Sequence, residues 1–136
     1  MDLTELKRKD AHISGWINFE GKFDVHINYL SKSDLQAKLD RCKKTKYVRH
    51  QPQDDIDVDK LHLELAQCIL DWKGLTLSAA SKLIPIDIPA GQENADVPCS
   101  DKNKLALLKE AYGFDVFIQQ ASTDLAAIKQ ETERKN

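Results

Sequence analysis

The side chains best suited to chemistry in this 136-residue sequence are its histidines and cysteines. The histidines are scattered along the chain, at His12, His26, His50 and His62. A metal site needs three or four such ligands, or carboxylates, at spacings that let them converge. The nearest approach is His62 with Asp59 and Glu64, which places no second histidine one helical turn away. The sequence therefore predicts no metal site and no cofactor.

The three cysteines are an odd number at wide spacing, at Cys42, Cys68 and Cys99. This pattern fits neither a disulfide framework nor paired metal ligands, so we expect reduced thiols. Cys68 lies in an apolar stretch and is predicted to be a small core residue, whereas Cys99 lies in a predicted loop. No glycine-rich phosphate loop, nucleophile elbow or dinucleotide fingerprint is present. The sequence therefore predicts a protein that is not an enzyme and has no catalytic residues.

One basic run could contact a phosphate backbone. It contains a tyrosine, Tyr47, and five cationic residues: Arg41, Lys43, Lys44, Lys46 and Arg49. However, an acidic run that begins at Asp54 follows at once, and the ends of helices commonly carry lysine. The chain as a whole has 20 Lys and Arg against 22 Asp and Glu, a formal net charge of -2. Because a nucleic-acid binder is usually basic, we predict no nucleic-acid partner.

Hydropathy gives an expectation about location. The sequence contains no run that approaches the roughly 18 to 20 apolar residues needed to cross a bilayer. Its first ten residues are charged and lack the apolar core of a signal peptide. We therefore expect a cytoplasmic protein that does not bind membranes. The oligomeric state stays open, and a homo-oligomer is compatible with the sequence.

The clearest structural signal is alternation of apolar and polar residues over residues 13–29. Two strands are predicted, and the glycine of Glu20-Gly21-Lys22 can take the positive φ of a tight connection, so they should form an antiparallel hairpin. Trp16 falls on the polar face. It is predicted either to contact a partner or to be covered by a helix, and the sequence does not separate these alternatives.

The rest of the chain is mainly helical by its pattern. Helices are predicted at residues 34–44 and 57–72, with a third short strand at residues 47–49 beside the hairpin and a polar break at residues 51–55. Residues 75–100 contain three of the four prolines, at Pro85, Pro89 and Pro98. They are therefore predicted to be a long loop with room for at most one short strand, at residues 83–88. This loop is either a contact region or a flexible excursion.

Two further helices are predicted after the loop. Ser100 caps the first, Gly113 ends it, and an apolar stripe from Phe114 to Ile128 marks the second. Residues 129–136 are polar and are predicted to be a fraying tail. A lone hairpin must be covered by other elements. We therefore predict one domain over residues 1–136, of class α+β, with the hairpin packed against a body of about four helices.

The order of these elements resembles that of the tail assembly chaperones of tailed bacteriophages and prophages. The resemblance depends on Asp71-Trp72-Lys73-Gly74 at the end of the central predicted helix, the early hairpin, the proline-containing loop, the leucine-rich helix and the final apolar helix. It implies a non-catalytic protein of the bacterial host cytoplasm. Such a chaperone binds the long, helical tape measure protein and keeps it soluble during tail assembly.

This resemblance implies apolar surface that remains open to a helical client. The candidate protein-binding residues are Trp16 on the hairpin, Leu63 and Leu70 on a second face of the central helix, and Phe114, Phe117 and Ile118 on the last helix. The alternative is an unrelated bacterial protein-protein interaction or regulatory module with the same α+β body.

Overall fold

The fold is α+β, as the sequence predicts. The structure, a computed structural model, describes residues 2–6 and 13–134, and begins with a short 3-10 helix at Leu3–Glu5. The strands are β1 (Ser14–Phe19), β2 (Phe23–Asn28), β3 (Lys43–Val48), β4 (Gln51–Ile56) and β5 (Ile69–Lys73). The helices are α1 (Lys32–Arg41), α2 (Val58–Ala66), α3 (Leu77–Ser81), α4 (Asp101–Glu110), α5 (Phe114–Ser122) and α6 (Leu125–Arg134).

The main sheet has three antiparallel strands in the order β1-β2-β5. The predicted hairpin forms its first two strands, and Gly21 takes a φ of 75° in the connection. Alternation of side chains places Phe19, Val25 and Ile27 on the buried face. The opposite face carries Trp16, His26 and other polar residues. The hairpin is thus confirmed, and its apolar face forms one side of the hydrophobic core.

The third strand of this sheet comes from an unexpected place. The predicted helix over residues 57–72 is wrong beyond Ala66, because Ile69–Lys73 pairs with β2 as β5. The register shifts between His26 and Ile27, so Ile69 pairs with Ile27 and Trp72 pairs with Val25. This β-bulge places Ile69 and Trp72, three residues apart, on the same buried face. The spacing therefore imitates the period of a helix.

The predicted third strand at residues 47–49 does not join the main sheet. Tyr47 and Val48 belong to β3, which pairs with β4 in a separate hairpin, and Arg49 lies in the turn between them. Strand β4 includes the segment predicted to be a polar break. Every residue from Lys43 to Asp54 is exposed. Without a buried face, neither strand shows the alternation from which a strand is recognised.

Several helix boundaries also differ from the prediction. Helix α1 begins at Lys32 because Ser31, not Ser33, caps it, whereas Ser100 caps α4 as predicted. The final apolar stripe forms two helices. Helix α5 ends at Ser122, and a new helix begins at Leu125, where Asp124 accepts a hydrogen bond from the Ala127 N–H. Helix α6 reaches Arg134, so most of the predicted polar tail is helical.

The long segment at residues 75–100 is ordered by specific bonds. The Trp72 indole N–H donates to the Val97 carbonyl at 2.7 Å, and Thr76 forms a β-bridge with Asp96. It contains the short helix α3, and the strand predicted at residues 83–88 is absent from it. Trp72 is therefore buried in the core and binds the end of this segment to β5, and the bridge from Thr76 to Asp96 joins its two ends.

Helices α5 and α6 cover the buried face of the sheet. The ring of Phe114 meets that of Phe19 edge-on at 5.2 Å, and both side chains are fully buried. At Gly15 the chain of α6 comes so close that an added Cβ would lie 2.6 Å from the Ile128 carbonyl oxygen. The absence of a side chain at Gly15 is therefore what allows α6 to pack directly on β1.

Helix α1 is joined to α2 by an ionic cluster. The Glu64 carboxylate accepts hydrogen bonds from Arg41 Nε at 3.1 Å and from Lys38 Nζ at 2.9 Å. Its side chain is 15% exposed. The hydrogen bonds from Arg41, and then from Lys38, lower the pKa of Glu64 to about 2. The cluster thus stabilises the fold when Glu64 is ionised.

Acid should remove this contribution. Because the folded pKa lies below the ordinary value of 4.5, the stabilisation is complete above about pH 4.5 and declines as the pH falls toward 2. Half of the Arg41 side chain is exposed, so we expect Glu64→Gln to lower the free energy of unfolding by about 1–2 kcal/mol at pH 7. Urea unfolding at pH 7 and pH 3 measures this difference.

The difference between Glu64→Gln and the native chain should shrink at pH 3. Glu20→Gln is the control, because Glu20 pairs with Lys22 at 2.9 Å in an exposed turn and should matter less at both pH values. If Glu64→Gln lowered the free energy of unfolding equally at pH 3 and pH 7, the charge of Glu64 would contribute nothing to stability.

Candidate functional site

The cysteines are placed as structural residues. Cys42 and Cys68 are fully buried, and Cys99 is partly exposed, with all three thiols free. Burial raises the pKa of all three thiols. Because the thiolate is the nucleophilic form, a raised pKa makes them poor nucleophiles. The predicted core position of Cys68 is confirmed.

One histidine lies beside a hydroxyl group. His26 Nε2 is 3.0 Å from Ser14 Oγ on the outer face of the sheet, and Asp71 is the cross-strand neighbour of His26. The Asp71 carboxylate, however, accepts a hydrogen bond from the Trp72 backbone N–H. A serine nucleophile needs a base that a third group orients, and a pocket beside it. This pair borders none of the grooves described below.

In residues 2–6 and 13–134 no three or more His, Cys, Asp or Glu side chains come together as a metal site would require. Within the same ranges no helix has the length and apolar character needed to cross a membrane.

An open groove lies between α2, α4 and α5. It has a volume of about 760 Å³, and its walls include Val58 and His62 from α2, Leu108 from α4, and Val116 and Phe117 from α5. A second, smaller hollow adjoins it and is lined by Leu63 and Leu105, with His62 and Lys109 shared between the two. The two hollows are therefore one continuous surface, which we call the α2/α4/α5 groove.

The rim of this groove is apolar where a soluble protein would ordinarily be polar. Exposure is 54% for Val58, 53% for Leu63, 49% for Val116 and 98% for Tyr112. Single exposed apolar residues are normal, but a contiguous set around a concave surface indicates a site of interaction. The groove is too open to enclose a small molecule and suits apolar side chains that enter from a protein partner.

The charges around the groove are mostly negative. Four carboxylates line its two hollows, against one lysine, Lys109: these are Glu20, Asp59, Glu110 and Asp115. Of the four, Glu20 is paired with Lys22. A groove with an apolar rim and mostly acidic charges beside it fits a partner that has an apolar stripe flanked by Lys or Arg.

The helical residues that were predicted to bind a protein partner fall into two groups, one in the groove and one in the core. Leu63 and Phe117 both line the α2/α4/α5 groove, Leu63 well exposed and Phe117 half-buried. Phe114 and Ile118 are fully buried, so their prediction as exposed binding residues is wrong. They lie on the side of α5 that packs on the sheet, because Phe114 fills the space beside Phe19. The helix therefore uses its strongest apolar stripe for the core.

The other two predicted residues lie on the sheet. Leu70 is in β5, not on a helix with Leu63, and it is not part of the groove, although 47% of its surface is exposed. The Trp16 ring stacks on His26 with ring centroids 4.8 Å apart, and Lys73 Nζ lies 4.3 Å from the centre of the indole. These contacts hold the half-buried indole against the outer face. Trp16 is therefore not covered by α5 or α6, which lie on the other face.

Sequence reasoning missed three residues of the groove. Val58 and Tyr112 follow the helical spacing that is typical of core-facing residues, and Val116 lies off the main stripe of α5. The only local signal is at Val116, an apolar residue between Asp115 and Phe117 that cannot share the buried face with Phe114 and Ile118. The exposure of Val58 and Tyr112 depends on how α2 packs against α4 and α5.

Comparisons with known proteins were made at three levels. No protein-family model, no curated protein and no solved structure matches this chain.

Proposed function

We propose that this protein is a non-catalytic tail assembly chaperone of a phage or prophage, which binds the tape measure protein in the cytoplasm of the bacterial host. The observation that carries the proposal is the α2/α4/α5 groove with its exposed apolar rim. The early hairpin, the proline-containing segment and the sequence Asp71-Trp72-Lys73-Gly74 also resemble this class of protein, although Asp71 to Lys73 lie in β5 and not at the end of a helix.

The groove suits one type of client. An amphipathic helix presents apolar side chains at intervals of three and four residues and can lay them along a groove between helices. Val58, Leu63 and Val116 would contact that stripe, and the carboxylates that line the groove would face basic residues beside it. A tape measure protein is a long helical chain whose apolar stripes self-associate until the tail tube encloses them. Covering those stripes one helix at a time is sufficient for a holdase.

Co-expression tests this function. The chain is expressed with the tape measure protein, whose gene should lie just downstream as a long reading frame rich in coiled-coil heptads. We expect the tape measure protein to appear in the soluble fraction only when this chain is present, and to co-purify with it. The measurements are the soluble fraction after centrifugation and affinity pull-down.

The contrary result is an insoluble tape measure protein that does not co-purify although this chain is folded and soluble. In that case the alternative, an unrelated bacterial interaction or regulatory module, would be favoured if the groove still bound a helix from another protein.

A further inference from the structure

The β3–β4 hairpin extends from the body as an ordered arm. Its residues from Lys43 to Asp54 are exposed, and such a hairpin is marginal in water without other support. Two features support it: the Asp57 N–H donates to the Cys42 carbonyl at 2.7 Å at its base, and its two-residue turn has φ of 54° at Arg49 and 66° at His50. Positive φ at both central residues is the type I′ geometry that matches the twist of a hairpin.

Among the described residues no third strand pairs with this arm, and its two edges differ. In a hairpin with a two-residue turn, the residues next to the turn exchange backbone hydrogen bonds and the next pair does not. Val48 and Gln51 are the first pair, and Tyr47 and Pro52 are the second. Pro52 therefore breaks no hydrogen bond within the hairpin, but it removes an outward N–H donor from the β4 edge.

The β3 edge keeps its backbone groups. By the same alternation, Thr45 and Tyr47 direct their N–H and C=O groups away from β4, and no proline interrupts this row. An unpaired edge of this type can accept one more strand. The open edge is thus β3 and not β4.

The charges on β3 select the strand that can pair with it. Lys44 lies opposite Asp55, but Lys46 lies opposite Gln53 and has no carboxylate across from it. A second copy pairing β3 with β3 would bring lysines together, which is unfavourable, whereas a strand with carboxylates would match them. A phosphate backbone has no row of N–H and C=O groups to pair with this edge, whereas a peptide strand has one.

We propose that the β3 edge binds an extended acidic peptide segment by strand addition. This site is separate from the α2/α4/α5 groove and uses a different mode of recognition: backbone hydrogen bonds from Thr45 and Tyr47, with lysine side chains that select Asp or Glu. It does not depend on the tape measure protein, so it stands or fails independently of the chaperone proposal.

The test uses the full chain and a short synthetic peptide in which glutamate alternates with valine. Titration followed by amide NMR should shift the resonances of β3 and leave the α2/α4/α5 groove unchanged. Because one cross-strand charge pair becomes repulsive, Lys46→Glu should weaken binding about three- to tenfold. Lys102→Glu is the matched control, since it makes the same charge change at an exposed site on α4 and should leave the affinity unchanged.

A second variant tests the backbone contribution. Thr45→Pro removes one outward N–H, as Pro52 does on the other edge, while it keeps every charge, and it should abolish binding. If Lys46→Glu weakens binding but Thr45→Pro does not, the contact is through side chains alone and strand addition is wrong. The proposal is also overturned if the peptide does not bind, if a version with lysine for glutamate binds equally well, or if a single-stranded oligonucleotide binds β3 more tightly.

Discussion

Replacing Leu63 and Val116 together by serine is expected to weaken the binding of an amphipathic client helix about 30-fold. Each side chain is about half exposed in the free protein, and its remaining apolar surface would be covered by the client. Loss of that burial at two sites costs about 2 kcal/mol, which corresponds to this change in the dissociation constant. The measurement is calorimetric titration of helical segments of the tape measure protein.

The chain offers a matched control for this variant. Leu70→Ser makes the same type of substitution at a residue that is 47% exposed, against 53% for Leu63, but Leu70 is not part of the groove. It should leave the affinity unchanged. All of these residues are exposed, so the variants should unfold at nearly the same urea concentration as the native chain. Equal weakening by Leu63→Ser and Leu70→Ser would show that binding is not confined to the groove.

Gly15→Ala should have the largest effect on stability. The new Cβ would lie 2.6 Å from the Ile128 carbonyl oxygen and 3.1 Å from its Cγ2, so α6 must move away from β1. We expect the free energy of unfolding to fall by about 2–3 kcal/mol, as for an overpacked core. In an uncrowded strand the same change would stabilise the protein, since glycine costs about 0.5–1 kcal/mol relative to alanine. The sign of the effect in urea unfolding therefore tests the contact.

The control for this substitution is Gly91→Ala. Gly91 has a φ of 81°, but an added Cβ there would meet nothing within 4 Å. Alanine at Gly91 should therefore cost only the strain of that backbone conformation, about 1 kcal/mol. If Gly15→Ala were as stable as the native chain, the packing of α6 on β1 would have to be different from that described.

Parts of this fold could be predicted from the sequence because local pattern and tertiary burial agree in them. The hairpin of β1 and β2 is an example, since one face is buried and each second residue is apolar. Prediction failed at β5, where a β-bulge gives Ile69 and Trp72 the spacing of a helix. It failed again at β4, where Pro52 and two aspartates conceal a strand that buries nothing.

The candidate site was predictable only in part for a related reason. A helical pattern shows that a residue is apolar but not which neighbour covers it. Leu63 was predicted because it lies off the stripe of α2, and it is exposed in the groove. Phe114 and Ile118 were expected to be exposed to a partner, but both are buried where α5 packs against the sheet. The position of α5 depends on contacts with β1, β2 and α2 that are distant in sequence, so the groove follows from packing.

The most direct test of the docking site is a methyl NMR titration of the native chain with a client helix. The methyl groups of Val58, Leu63 and Val116 report on the α2/α4/α5 groove, and those of Leu70 report on a comparably exposed apolar residue outside it. If the groove is the binding surface, the first three should shift and saturate together while Leu70 stays unchanged. Saturating shifts at Leu70 with none at Val58, Leu63 and Val116 would contradict this location.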